Sequence, residues 1–143
     1  MKKLLLAAAA AGVLAGAAED VKYLNPPKLE TPVARYSHAV VVPAGAKMIF
    51  ISGQGGSTTA DIVGQTKETM ENLKIALEAA GSDFAHVVKM NIYLTDMSRM
   101  PELRKVRDAY LDPKRAPAMT TAKVAELVGG IKIEIDVVAV SSK

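Results

Sequence analysis

"IKIEIDVVAV", residues 131–140, is the stretch that decides the fold. Ile131, Ile133 and Ile135 alternate with Lys132, Glu134 and Asp136, the two-residue period of a strand with one face in a core. The charged side then turns apolar at Val138 and Val140. A second face that changes character in this way predicts a sheet partly covered by another subunit.

Working back from that strand, "AMTTAKVAEL" (118–127) reads as a further strand, with a Val-Gly-Gly turn at 128–130 between the two. "MPELRKVRDAYL" (100–111) sets Met100, Leu103, Val106 and Tyr110 on one helical face, with Pro101 tolerated in the first turn. "HVVKMNIYLTD" (86–96) is a β-branched strand. From Ile62 to Ala80, Val63, Met70, Leu73 and Leu77 recur at helical spacing, with Thr66 on the same face. Asp61 is placed to cap this helix, and Gly81 to end it in a left-handed turn. "YSHAVVVPAG" and "KMIFISGQ" read as two strands of a hairpin joined through Pro43 to Ala46. The order β-β-α-β-α-β-β predicts an α+β domain, a mixed sheet with two main helices on one face.

Composition narrows the function. Half of the 143 residues are apolar, which fits a chain with a real core rather than a disordered one. There is no Trp, and only two Phe and four Tyr, too few for base-stacking platforms. The formal charge is +3, or +1 once Lys2 and Lys3 are removed, so no basic stripe tracks phosphates and no nucleic-acid partner is expected. With no Cys there is neither a disulfide framework nor a thiolate nucleophile. His38 and His86 are too isolated to propose a metal site, and "GQGGSTT" lacks the Lys of a phosphate-binding loop.

The start of the chain, "MKKLLLAAAAAGVLAGAAED", has two lysines, an apolar run from Leu4 to Leu14 and then small residues. Ala15-Gly16-Ala17 fits an export cleavage site, with Gly16-Ala17-Ala18 as the neighbouring option. The run is short for a bilayer span, so no stable membrane anchor is expected; an uncleaved N-terminal helix or membrane anchor is the alternative. This predicts a signal peptide over residues 1–18, an extended arm over 19–31 and one domain over 32–143, in a periplasmic or secreted protein.

Six phrases in one order, "RYSHAV", "FISGQ", "QTKETMENLKIALEAAG", "VVKMNIYLTDM", "APAMTTAKV" and "IKIEIDVVAV", resemble the RidA (YjgF, Rid) family over most of residues 21–140. The resemblance implies a chorismate-mutase-like α+β fold and a homotrimer whose sheets form a central barrel, with a pocket in each cleft between subunits. It also implies hydrolysis of reactive imines and enamines to a carbonyl compound and ammonia, without metal or organic cofactor. That chemistry needs a positioned water and proton traffic to nitrogen, work a carboxyl can do. The family's Glu in the last strand maps onto Asp136, one methylene shorter. Tyr36 matches a pocket tyrosine and Ser52 a pocket serine, while Thr121 lines the wall. Two of these also have a plainer reading: a solvated strand carboxylate for Asp136, a packing ring for Tyr36.

The decisive departure lies in "APAMTT" (116–121). Deaminating relatives read roughly "PARST" there, and the Arg grips the substrate carboxylate; Met119 takes its place. A guanidinium makes two charge-assisted hydrogen bonds to a carboxylate, and a thioether makes none of comparable strength. At about 1.5–3 kcal/mol each, their loss costs roughly 3–6 kcal/mol, or about two to four powers of ten in binding. Arg104, three residues before Arg107, is a candidate to hold an anion from the other side; the alternative is a solvated helix face. Two functions remain open: an imine or enamine hydrolase with altered substrate preference, or a non-catalytic trimer that binds a small metabolite or assists other proteins.

Overall fold

The computed structural model describes residues 20–32 and 34–142, so the expected leader lies outside it. Eight main elements follow in order: β1 (Lys22–Leu24), β2 (Ala39–Val41), β3 (Met48–Gly55), α1 (Ile62–Ala79), β4 (Val87–Leu94), α2 (Met100–Asp108), β5 (Ala118–Lys123) and β6 (Ile133–Val140). A four-stranded sheet runs β3-β6-β4-β5, with β6 antiparallel to both neighbours and β5 parallel to β4. Both helices pack on one face of it, as the sequence predicts.

The strands pair differently from expectation in two places. β2 does not form a hairpin with β3. It pairs with β1, Lys22 opposite Val41 and Leu24 opposite Ala39, so part of the expected arm is a strand. β3 pairs instead with β6, whose eight Ile- and Val-rich residues offer a much longer ladder than three-residue β2. β5 and β6, adjacent in sequence, are separated by β4. The connection from Val124 to Lys132 is long enough to cross that strand, with Gly129 and Gly130 both at φ 72°.

Helix α1 forms where capping and periodicity agree. The Asp61 carboxylate accepts from the Val63 and Gly64 amides, both at 3.1 Å. At the other end Gly81 takes φ 78°, and the Ser82 amide reaches back to the Leu77 carbonyl at 2.9 Å. The buried stripe is Ile62, Thr66, Met70, Leu73 and Leu77, whereas Val63 faces solvent. Against it lie Met90, Ile92, Leu94, Ile133, Ile135 and Val137 from the sheet. The expected inward face of β6 is therefore the core.

Tyr110 closes the gap beyond α2. Its ring meets Phe84 edge-on at 5.5 Å, and its hydroxyl donates to Glu71 Oε1 at 2.5 Å. Burial, then the Glu71 hydrogen bond and charge, push the phenol up to about 12. The fold thus holds this proton more tightly than the unfolded chain does. That contribution is complete below about pH 10 and is lost as pH rises from about 10 to 12. Urea unfolding across this window should show a shallower loss of stability for Tyr110→Phe than for the wild type; parallel curves would refute the assignment.

Candidate active site

Two elements bring Tyr36 to the start of β5. The Ser37 amide donates to the Pro117 carbonyl at 3.0 Å, and Ser37 bridges Ala118 in parallel. The preceding side chain, Tyr36, then lines a cavity of about 140 Å³ with Ala34, Arg104, Arg107, Met119 and Thr121. Four residues singled out in the sequence, Tyr36, Arg104, Met119 and Thr121, are therefore gathered in one place.

The residue missing from that expectation is Arg107. Read from sequence it belongs to a solvated helix face; in the structure it is 2% exposed. Its Nη1 donates to Met119 Sδ at 3.0 Å, and its Nε and Nη2 donate to Asp108 Oδ1 at 2.8 and 2.6 Å. Arg35 fixes this corner by donating from Nη1 to the carbonyl of Asp108, an acceptor left open at the end of α2, and to that of Leu111 just beyond the helix. The sequence did carry a signal. Leu103, Arg107 and Leu111 recur every four residues, which puts an arginine on the buried stripe.

Asp136 and Ser52 lie elsewhere. In the register of the sheet Asp136, Asn91 and Thr120 form one row, on the face that no helix covers. Met119 and Thr121, on either side of Thr120, point to the opposite face. Asp136 is already engaged: Asn91 Nδ2 donates to its Oδ1 at 2.9 Å. Tyr93 is hydrogen-bonded to it as well, and this bond together with the charges of Asp136 and Glu134 raises the phenol's pKa.

Ser52 sits in a bulge of β3. Between Ile51 and Gln54 the ladder advances three residues on β3 against two on β6. The bulge brings Gly53 under the Glu134 side chain, where an added Cβ would overlap Oε1. Glu134 accepts no hydrogen bond among the described residues, which makes it the more available of the two carboxylates on this strand. Ser52 and the cavity are far apart within one chain: β3 and β5 are opposite edges of the sheet, about 14 Å apart at the usual strand spacing.

Residues 28–141 match the family described as Endoribonuclease L-PSP. The chain belongs to the RidA (YjgF) family. It is 42% identical to the protein DfrA of Myxococcus xanthus over 76% of this chain and 87% of that one. It is 32% identical to the 2-iminobutanoate/2-iminopropanoate deaminase of Mus musculus over 83% of this chain and 90% of the mouse protein. Among solved structures, RidA from an Antarctic Psychrobacter superposes with a TM-score of 0.63 at 32% identity, over 83% of this chain and 98% of that one. A Rid protein from Yersinia pestis reaches 0.76 at 23% identity, covering 85% and 99%, a likeness of fold alone. The α+β architecture and the family expected from the six phrases are both borne out. The RidA family includes deaminases of reactive intermediates.

Proposed function

We propose that this RidA-family protein hydrolyses reactive imine or enamine intermediates, with a substrate preference altered from that of relatives whose β5 carries the anion-binding arginine. The observation that supports this most is the cavity itself. It keeps Tyr36 and Thr121 at the expected wall, while position 119 presents a thioether to a neighbouring guanidinium. The Tyr36 hydroxyl has no hydrogen-bond partner among the described residues, so it is available to a ligand.

The site is completed between copies of the chain. A substrate in the cavity is beyond hydrogen-bond reach of Glu134 or Asp136 of its own chain, because the carboxylates stand on the other sheet face. That face carries Phe50, 76% exposed, with Met48 and Val138 beside it, an apolar strip that a second copy would cover. A homotrimer closing its sheets into a barrel supplies the missing carboxylate and Ser52 from a neighbour. In such a cleft Glu134, with Asp136 held beside it by Asn91 and Tyr93, takes a proton from water as the oxygen adds to the C=N carbon. The proton passes to nitrogen, and the carbinolamine collapses to carbonyl compound and ammonia.

The test couples an amino-acid oxidase to the protein and traps surviving imine with semicarbazide. Purified protein should lower the semicarbazone yield for at least one imine, and Glu134→Gln should lose this effect by a hundredfold or so. If every imine decays as it does in buffer, the hydrolase reading falls. A ligand that binds the cavity unchanged would then favour the non-catalytic alternative.

A further inference from the structure

We propose that Arg107 is the specificity-determining residue of the cavity: it holds the carboxylate of a small monocarboxylate ligand from helix α2, in place of the strand arginine. The inference rests on the cavity being the ligand site, and it extends that reading by naming the charged group the ligand carries and the wall that receives it.

The donor count of the guanidinium points to an open edge. Arginine has five N–H donors. Nε and one Nη2 proton are directed at Asp108, and one Nη1 proton at Met119 Sδ. One N–H on each Nη atom is left without a partner among the described residues, so two donors remain for a ligand. The side chain that carries them is buried and borders the cavity, so an anion there would meet them with little competition from water. Met119 is the seat that keeps this pair in place: an unbranched thioether fits beside the guanidinium without supplying a charge.

The surrounding charges agree. Asp108 offsets one guanidinium, and exposed Arg104 at the rim leaves the cavity with surplus positive charge. Arg104 is screened by solvent and contributes attraction more than fixed geometry. At about 140 Å³ the cavity has room for about four or five water-sized groups. A short acid fits this space, with its hydrocarbon end against Met119 and the Tyr36 ring.

A purely structural role for Arg107, as the partner of Asp108, makes a different forecast, and unreactive ligands separate the two. Calorimetric titration of the whole assembled protein with 2-oxobutanoate and with its neutral amide should show at least tenfold tighter binding of the acid. Arg107→Gln should reduce that preference to less than twofold, while Arg104→Gln should cost less than threefold. Asp108→Asn, which breaks the ion pair but leaves the donors, should retain the preference. Equal binding of acid and amide by the wild type, or binding of neither, overturns the proposal even if Arg107→Gln does not fold. An unchanged preference in folded Arg107→Gln also overturns it. Imine turnover by a protein with no acid preference would sink this inference alone. Acid preference without turnover of any imine would sink only the hydrolase reading.

Discussion

Met119→Arg is expected to destabilise the protein by about 3 kcal/mol, although it installs the arginine that the family resemblance leads one to expect in this strand. The thioether lies 3.0 Å from Arg107 Nη1, in a half-buried corner. A second guanidinium entering there would face the first, with only Asp108 to offset both. Two like charges removed from water without partners are costly, and the cost depends on Arg107 being present. Adding Arg107→Met to Met119→Arg should therefore recover about 1–3 kcal/mol, an interaction visible only in the double variant. Urea unfolding of the four proteins at one protein concentration measures it. Additive changes, or a stable single variant, would mean that Arg107 does not occupy this corner.

Phe50→Asp should abolish both assembly and activity. Phe50 stands opposite Val138 on the face no helix covers, with Met48 two residues away. Burying such a ring contributes roughly 1.5–3 kcal/mol per copy, and an aspartate would place a charge in the same contact. The fold of the single chain should survive, because Phe50 makes no part of its core. Light scattering should find a trimer for the wild type and a monomer for Phe50→Asp, and imine decay should return to the rate in buffer. A monomer with full activity would refute a site shared between copies. A trimer with Phe50→Asp would show that this face is not the contact.

How much of this could be read from sequence depended on whether the signal was local. The inward face of β6, the Asp61 cap and the Gly81 stop rest on spacing within a few residues, and the structure shows all three. Strand partners are not local. The Pro43–Ala46 turn looked like a hairpin, yet β3 gains more from long β6 than from β2. The cavity was legible in its strand and loop residues, because Tyr36, Met119 and Thr121 carry the family phrases. Arg107 was not, since an arginine between charged neighbours ordinarily faces water. Only its four-residue spacing from Leu103 and Leu111 hinted at burial. Likewise Asp136 is marked by the phrase of the last strand, while its bonds to Asn91 and Tyr93 and the freedom of Glu134 depend on the register of β4 against β6.

The most direct measurement is a crystal structure of the assembled protein with 2-oxobutanoate bound. It should show the acid in a cleft between two copies, its carboxylate on the two free Nη donors of Arg107, and Glu134 of the neighbouring copy beside the carbonyl carbon. A carboxylate held elsewhere, or a cleft in which no carboxylate from the second chain approaches the ligand, would contradict the account.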